Sequence, residues 1–137
     1  MTNRVAVVAL DKRYKKLEKD LTSKTEEILL FLKQDRVVLE VYLVGSARIR
    51  KLNRQHKGKD AVTNVLAYGA PKDFPRISPR FLGEVYLCLP YIKKRGEDIV
   101  SLLAHGILHL VGFDHVSVGD KMTMEKTEKK LSAWLNR

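Results

Sequence analysis

The sequence has one cysteine, no long apolar run and too few acidic residues to balance its basic ones. The single cysteine, Cys88, excludes an internal disulfide and fits a reducing compartment. Because Cys88 lies in the apolar run Val85–Leu89, we expect a buried small side chain rather than a metal ligand. No apolar run approaches 18 residues and no signal-peptide pattern is present, so a soluble, cytoplasmic protein without a membrane partner is expected.

The shortage of acidic residues leaves a formal net charge of +10 and a pI near 9.8. Such an excess indicates a polyanionic partner, most simply nucleic acid. The segment from Arg48 to Lys59 has no acidic residue and predicts a phosphate-contacting surface. Many small basic proteins bind no nucleic acid, so an ordinary solvated surface remains the alternative. The basic residues of this segment are Arg48, Arg50, Lys51, Arg54, Lys57 and Lys59.

Length and hydrophobic content predict one globular domain over residues 1–137, without repeats, linkers or low-complexity segments. The hydrophobic periodicity predicts an α+β fold with four strands and four helices. The predicted strands are Arg4–Leu10, Arg36–Val44, Val62–Tyr68 and Phe81–Leu89. The predicted helices are Tyr14–Gln34, Ser46–Asn53, Glu97–Val111 and Asp120–Leu135.

Three local features accompany these elements. Ser46 is expected to be the N-cap of the second helix. The segment from Gly69 to Pro79 is rich in proline and turn residues, which predicts a loop near the functional site. The last helix is expected to bury apolar residues and to pack a tryptophan at its end, namely Met122, Met124, Leu131, Trp134 and Leu135.

Three of the four histidines lie within eleven residues, in the spacing H-x3-H-x2-G-x2-H. His105 and His109 would share one face of a helix, and Gly112 can end that helix so that His115 reaches the same ion. Three neutral nitrogen ligands without a fourth protein ligand describe a catalytic zinc site, whose open position can hold a reactive water. Ordinary histidines on a helix are the alternative, but the combined spacing favours metal. Nickel, copper or iron would also accept such ligands.

The predicted helix Glu97–Val111 is apolar except for one stripe of polar side chains, Asp98, Ser101, His105 and His109. A buried polar stripe needs partners, and a cation would supply one, whereas a stripe facing solvent would need none. Gly106 in mid-helix costs about 1 kcal/mol relative to alanine. Either the close approach of a substrate or strand, or tight packing, would explain it.

Gly106 also bears on the reaction. In metzincin metalloproteases the corresponding position carries the glutamate that serves as general base. Peptide hydrolysis by that route is therefore disabled here. Asp114 leaves from another part of the turn. We expect it to orient a histidine or fix the turn, and a direct catalytic role is the alternative.

Two motifs together resemble one known family. They are His105-Gly-x-Leu-His109-Leu-x-Gly112-Phe-Asp114-His115 and Leu52-Asn53-x4-Gly58-Lys59-Asp60-x2-Thr63-Asn64-Val65-Leu66. Both are similar to signatures of the YbeY family, bacterial metal-dependent endoribonucleases of ribosomal RNA maturation. Gly83-Glu84-Val85 and the segment around Met124-Glu125 correspond too, so the resemblance covers essentially the whole chain.

The resemblance implies a zincin-like fold: a mixed, mostly parallel sheet of about four strands with packed helices. The metal site would lie on a central helix and the loop after it. It further implies zinc-dependent cleavage of single-stranded RNA in 16S rRNA 3′-end maturation and ribosome quality control. The expected partners are rRNA and the small ribosomal subunit, with no DNA and no membrane.

The sequence departs from the family at two places. Lys57 stands where the family usually has an arginine, so the charge is kept but the planar fork that grips phosphate is lost. Lys57, with Arg54 sharing the role, would stabilise charge in the transition state. Ala67-Tyr68-Gly69 replaces the family's Ser-Phe-Pro, which alters the adjacent groove.

Alternatives from other classes remain. The chain could bind rRNA as a non-catalytic, metal-stabilised assembly factor, act as a metalloprotease, or hydrolyse a small phosphoester or amide. Gly106 argues against the protease, and the +10 charge argues for a large substrate. Attack by water and attack by the ribose 2′-OH are both compatible with the sequence.

Overall fold

The computed structural model describes residues 2–112 and 118–137, the first four of the second range through their backbone only. In the described residues four strands form one sheet, in the order β1, β2, β4, β3. Strands β1, β2 and β4 run parallel to one another, and β3 pairs antiparallel with β4 at the sheet edge. The strands are β1 Arg4–Ala9, β2 Val37–Val44, β3 Val65–Gly69 and β4 Arg80–Cys88. The expected α+β fold with a mixed, mostly parallel sheet is confirmed.

Five α-helices and one short 3-10 helix accompany the sheet in the described ranges. The 3-10 helix Lys12–Leu17 precedes α1, so the single long helix predicted there is two elements. The second helix is longer than predicted, and the last one begins before its predicted start. A further helix, α3, was not predicted. The helices are α1 Glu18–Phe31, α2 Ser46–Lys57, α3 Leu89–Lys94, α4 Ile99–Leu110 and α5 Val118–Leu135.

The main core lies between one face of the sheet and helices α1, α4 and α5. Strand β2 alternates strictly along most of its length, and its inward residues Leu39, Val41 and Leu43 are fully buried. Burying one such side chain stabilises the fold by about 1.5–3 kcal/mol. On the other face α2 packs through Ile49 against a smaller cluster that includes Cys88. The prediction that Cys88 is a buried small side chain is confirmed.

Two local predictions were wrong. Met122 is exposed, whereas Met124 is fully buried, because residues two apart on α5 point to different sides of the helix. Ser46 is not the N-cap of α2: the capping position is Gly45, in extended conformation, and no side chain caps this end. Ser46 is the first helical residue, and its hydroxyl lies 4.0 Å from the sulfur of Cys88.

The segment between α2 and β3 is held by buried and local contacts. Gly58 ends α2 in the left-handed conformation with a φ of 69°. Asn53, which is only 5% exposed, donates its amide to the carbonyl of Ala61 at 2.9 Å. These contacts fix where the chain leaves α2 and enters β3, which lies beside α4.

Within the described ranges, none of the helices combines the length and hydrophobicity that crossing a membrane would need.

Candidate metal centre

Helix α4 is anchored at its start and pressed against the sheet at its middle. Asp98 caps it by accepting hydrogen bonds from the backbone amide and the hydroxyl of Ser101, at 3.0 and 2.6 Å. Gly106 faces the sheet: a Cβ built there would lie 3.0 Å from Cγ1 of Val85 and 3.4 Å from Cγ2 of Val65. Tight packing of helix on strand therefore accounts for this glycine, and a glutamate at the same place would meet the sheet.

His105 and His109 converge as the helical spacing predicts. Their Nε2 atoms lie 3.2 Å apart, and their rings meet nearly edge to face with centroids 4.7 Å apart. Two imidazole nitrogens bound to one tetrahedral zinc ion at about 2.0–2.1 Å would be about 3.3 Å apart. The two side chains thus already have the separation that a shared zinc ion requires.

Glu128 of α5 contacts His105 at the ring nitrogen that faces away from His109. Its Oε2 lies 3.0 Å from Nδ1 of His105. A carboxylate at Nδ1 stabilises the tautomer that carries its proton there, and Nε2 is then the nitrogen that can bind metal. The sequence pattern alone did not predict a role for Glu128. A signal was present: Glu128 interrupts the apolar stripe of α5 formed by Met124, Leu131 and Leu135.

The polar stripe of α4 exists, but it is not buried. Ser101 is exposed, and the His105 side chain retains 31% exposure. The stripe faces an open cavity, so the expectation of a buried polar stripe is wrong. Asp98 and Ser101 cap the start of α4. The two histidines are therefore the members of the stripe that can bind a ligand in the cavity.

The histidines line a cavity of about 470 Å³ between α4, α5 and the edge strand β3. Lys57, at the end of α2, lines the same cavity. Arg54 is not among its lining residues. Its guanidinium lies 3.7 Å from Asp60, to which Arg50 also binds through two hydrogen bonds of 2.8 and 3.1 Å. The structure thus brings Lys57 to the histidines but not Arg54.

His115 and Asp114 lie outside the described residues, so their predicted roles stay predictions. In the part of the chain that the structure describes, no group of three or more metal-ligating side chains occurs. The fourth histidine, His56, packs its ring on that of Tyr68 with centroids 4.6 Å apart, away from the pair on α4.

A separate ionisable cluster lies on the face of the sheet opposite α4. Glu40 and Glu84 are neighbours across β2 and β4. Burial raises the pKa of Glu84, and the charge and hydrogen bond of Glu40 raise it further. Burial, together with a 3.0 Å hydrogen bond to Glu40, raises the pKa of Tyr42 to about 12. The raised pKa makes the Glu84 carboxyl easier to protonate than an ordinary glutamate, in a chain that is otherwise strongly basic.

An open cavity with two converging histidines on the central helix of an α+β fold is typical of hydrolytic enzymes that use a metal ion. The family model described as Endoribonuclease YbeY matches residues 2–136. The chain belongs to this family. The expected family and its enzyme class, an endoribonuclease and therefore a hydrolase, are thereby confirmed.

Individual relatives agree with the family assignment. The Endoribonuclease YbeY of Persephonella marina is 41% identical over 98 residues, which cover 66% of this chain and 64% of that protein. The Endoribonuclease YbeY of Nitrosomonas eutropha is 38% identical over 104 residues, or 70% of each chain. The solution structure of TM1509 from Thermotoga maritima superposes with a TM-score of 0.55 at 26% identity, covering 96% of this chain and 92% of that one.

Proposed function

We propose that this chain is a zinc-dependent endoribonuclease specific for single-stranded RNA, which acts in 16S rRNA 3′-end maturation and ribosome quality control. The observation that carries the proposal is the 3.2 Å approach of the His105 and His109 Nε2 atoms inside the cavity. The family supports the reaction class, and the net charge of +10 supports a nucleic-acid substrate.

The residues fit a metal of this kind. His105 and His109 would bind it, with His115 as the predicted third ligand, and Glu128 would hold His105 in the required tautomer. When bound, zinc supplies a Lewis acid and lowers the pKa of a water in its open position. Other divalent transition metals suit the same ligands.

The chain's own residues have separate tasks. Lys57 places a positive charge in the cavity, where it would bind a phosphate and offset charge that develops during cleavage. Arg54 would act on the backbone of RNA further out, since its ion pair with Asp60 keeps it on the α2 surface. Asp114 would orient a histidine or fix the turn. The protein would work in the cytoplasm, with rRNA in the small ribosomal subunit as partner.

The test compares histidine variants on an end-labelled RNA that carries the 3′ end of 16S rRNA. We expect cleavage by the zinc-loaded chain, loss of cleavage with EDTA and recovery on adding zinc. His105→Ala and His109→Ala should each lose both bound zinc and cleavage. His56→Ala is the matched control, because this histidine stacks on Tyr68 outside the cavity and should leave both unchanged.

Cleavage by the metal-free chain would refute the proposal. Tight RNA binding by a zinc-loaded chain that cleaves no RNA would instead indicate a non-catalytic assembly factor.

A further inference from the structure

The outer edge of β3 carries backbone groups that the sheet does not use. The carbonyl of Asn64 and the amide of Ala70 both bond to β4, at 2.9 and 3.3 Å. In an antiparallel pair, residues that bond to the partner alternate with residues whose amide and carbonyl point away from it. The backbone groups of Val65 and Ala67 therefore point away from β4. Of the described strands, only β4 pairs with β3.

One of these outward groups is already satisfied. The amide of Val65 donates to the side-chain oxygen of Asn64 at 2.7 Å. The next groups along the edge are the carbonyl of Val65 and the amide of Ala67, an acceptor and a donor two residues apart. In the described ranges, neither has a hydrogen-bond partner. Unpaired backbone donors and acceptors of this kind favour a partner that supplies the complementary groups.

The same two residues line the cavity that holds the histidines. Ala67 has only a methyl side chain and Gly106 has none. Between the strand edge and α4, therefore, no large side chain of these two residues separates the backbone of β3 from the cavity. A cavity of about 470 Å³ is in the size range of sites that enclose a small organic group. A planar group lying here would meet the strand edge and the histidine pair at once.

We propose that the edge of β3 is a nucleobase subsite, in which the Ala67 amide and the Val65 carbonyl bind the Watson–Crick edge of an unpaired base. The proposal rests on the proposed function and gives a structural origin for its preference for single strands. All four bases present a donor beside an acceptor on that edge, so the subsite would tolerate any sequence. A base in a duplex has this edge occupied and would be excluded.

An extended peptide could also pair with a free strand edge. The observations favour RNA, because Lys57 lies in the cavity and the chain carries a net charge of +10. Lys57 would bind a phosphate of the same nucleotide strand whose base lies on the edge.

The test measures binding of fluorescent oligouridylates to the zinc-loaded chain by anisotropy, within the period in which a gel shows the RNA intact. In N3-methyluridine the methyl group blocks the Watson–Crick edge, whereas in the control 5-methyluridine it lies elsewhere on the ring. We expect binding of the N3-methyl oligonucleotide to be about 10-fold weaker, since two net hydrogen bonds are lost. The 5-methyl oligonucleotide should bind like oligouridylate.

Ala67→Pro removes the outward amide itself. Proline is tolerated at an edge strand where the amide does not join the ladder, and circular dichroism would verify the fold. This variant should bind oligouridylate about 10-fold more weakly, and N3-methylation should weaken its binding little further. Leu30→Ala, a neutral change at an exposed residue of α1, is the control and should bind like the unchanged chain.

Equal binding of the N3-methyl and 5-methyl oligonucleotides would overturn the subsite even if RNA is cleaved. Failure to cleave RNA that is bound with this discrimination would refute the proposed function alone. Absence of all RNA binding would refute both. Binding of an acidic extended peptide that Ala67→Pro abolishes, with RNA binding unaffected, would assign the edge to a peptide strand.

Discussion

Glu128 is the residue whose position adds most to the histidine pair. A carboxylate at Nδ1 of a ligating histidine fixes the ring and makes the other nitrogen a better donor, and removing it typically weakens metal binding about 10- to 100-fold. We expect Glu128→Ala to lower zinc affinity by this factor, measured by competition with a chelator.

Two further variants separate the causes of that loss. Glu128→Gln keeps a hydrogen-bond acceptor without the charge, so its affinity should fall between those of Glu128→Ala and the unchanged chain. Glu125→Ala, an exposed residue on the same helix, is the control. Equal zinc affinity in Glu128→Ala and the unchanged chain would show that the 3.0 Å contact has no part in metal binding.

Variants of Lys57 show whether RNA cleavage depends on the positive charge in the cavity or on the hydrogen-bond geometry of the group that carries it. Arginine would add a second, coplanar hydrogen bond to a phosphate oxygen. We expect Lys57→Arg to raise kcat/KM for RNA cleavage several-fold and Lys57→Ala to lower it by about 100-fold, the scale found for removing one charge-stabilising donor. Zinc content should be the same in both variants. A larger loss in Arg54→Ala than in Lys57→Ala would reverse the assignment.

At the scale of elements, the contact between α4 and the sheet leaves no room at Gly106. Gly106→Ala gains about 1 kcal/mol of helix propensity but adds a methyl 3.0 Å from Val85, and such overpacking costs about 1–3 kcal/mol. We expect a net loss of about 1 kcal/mol in the free energy of unfolding, measured by urea denaturation. In a Val85→Ala background the same change should be stabilising, because the crowded methyl group is gone.

The carboxyl pair across β2 and β4 makes stability depend on pH. The folded-state pKa of Glu84 is raised, so its protonated form is favoured in the fold. The stabilisation that protonated Glu84 gives the fold is fully present below the pKa of Glu84 in the unfolded chain. It is lost as the pH rises through the higher pKa of Glu84 in the folded chain. We expect Glu84→Gln to stabilise the chain at pH 7 by on the order of 0.5 kcal/mol, as for other opposed like charges in sheets.

The measurement is the melting temperature of Glu84→Gln and the unchanged chain between pH 4 and pH 8. Their difference should shrink as the pH falls toward 4, and Glu26→Gln, an exposed residue on α1, should show no such trend. A constant difference across this range would rule out titration of Glu84 as the cause.

The strands, α4 and the histidine pair were predictable because each follows a local rule. Alternation predicted β2, and the spacing of four predicted that His105 and His109 meet. Glu128 was not predicted, since its partner is 23 residues away and only the packing of α5 on α4 brings them together. Helix α3 was missed because its six residues continue an apolar strand and are too few for a helical period to be visible.

At the scale of the whole molecule, the charge should determine how RNA binding responds to salt. Each phosphate contact to a single strand contributes about −0.7 to the slope of log K against log salt. With about three to five phosphate contacts from the segment between Arg48 and Lys59, the slope should be about −2 to −3.5. Lys57→Ala should reduce it by about 0.7, whereas Lys19→Ala, exposed on α1, should not. A salt-independent affinity would exclude a phosphate-contacting surface.

The bridge between His105 and Glu128 joins α4 to α5, the next helix along the chain, and under the proposed zinc binding α5 should report on the metal. A ligand that binds more tightly when α5 is docked on α4 stabilises the docked state in proportion to that difference in affinity. Amide hydrogens of α5 should therefore exchange more slowly with deuterium as zinc is added, in step with occupancy of the histidines. Loosening of α5 would in turn weaken metal binding by the same factor, so docking of α5 and occupancy of the metal site would favour each other.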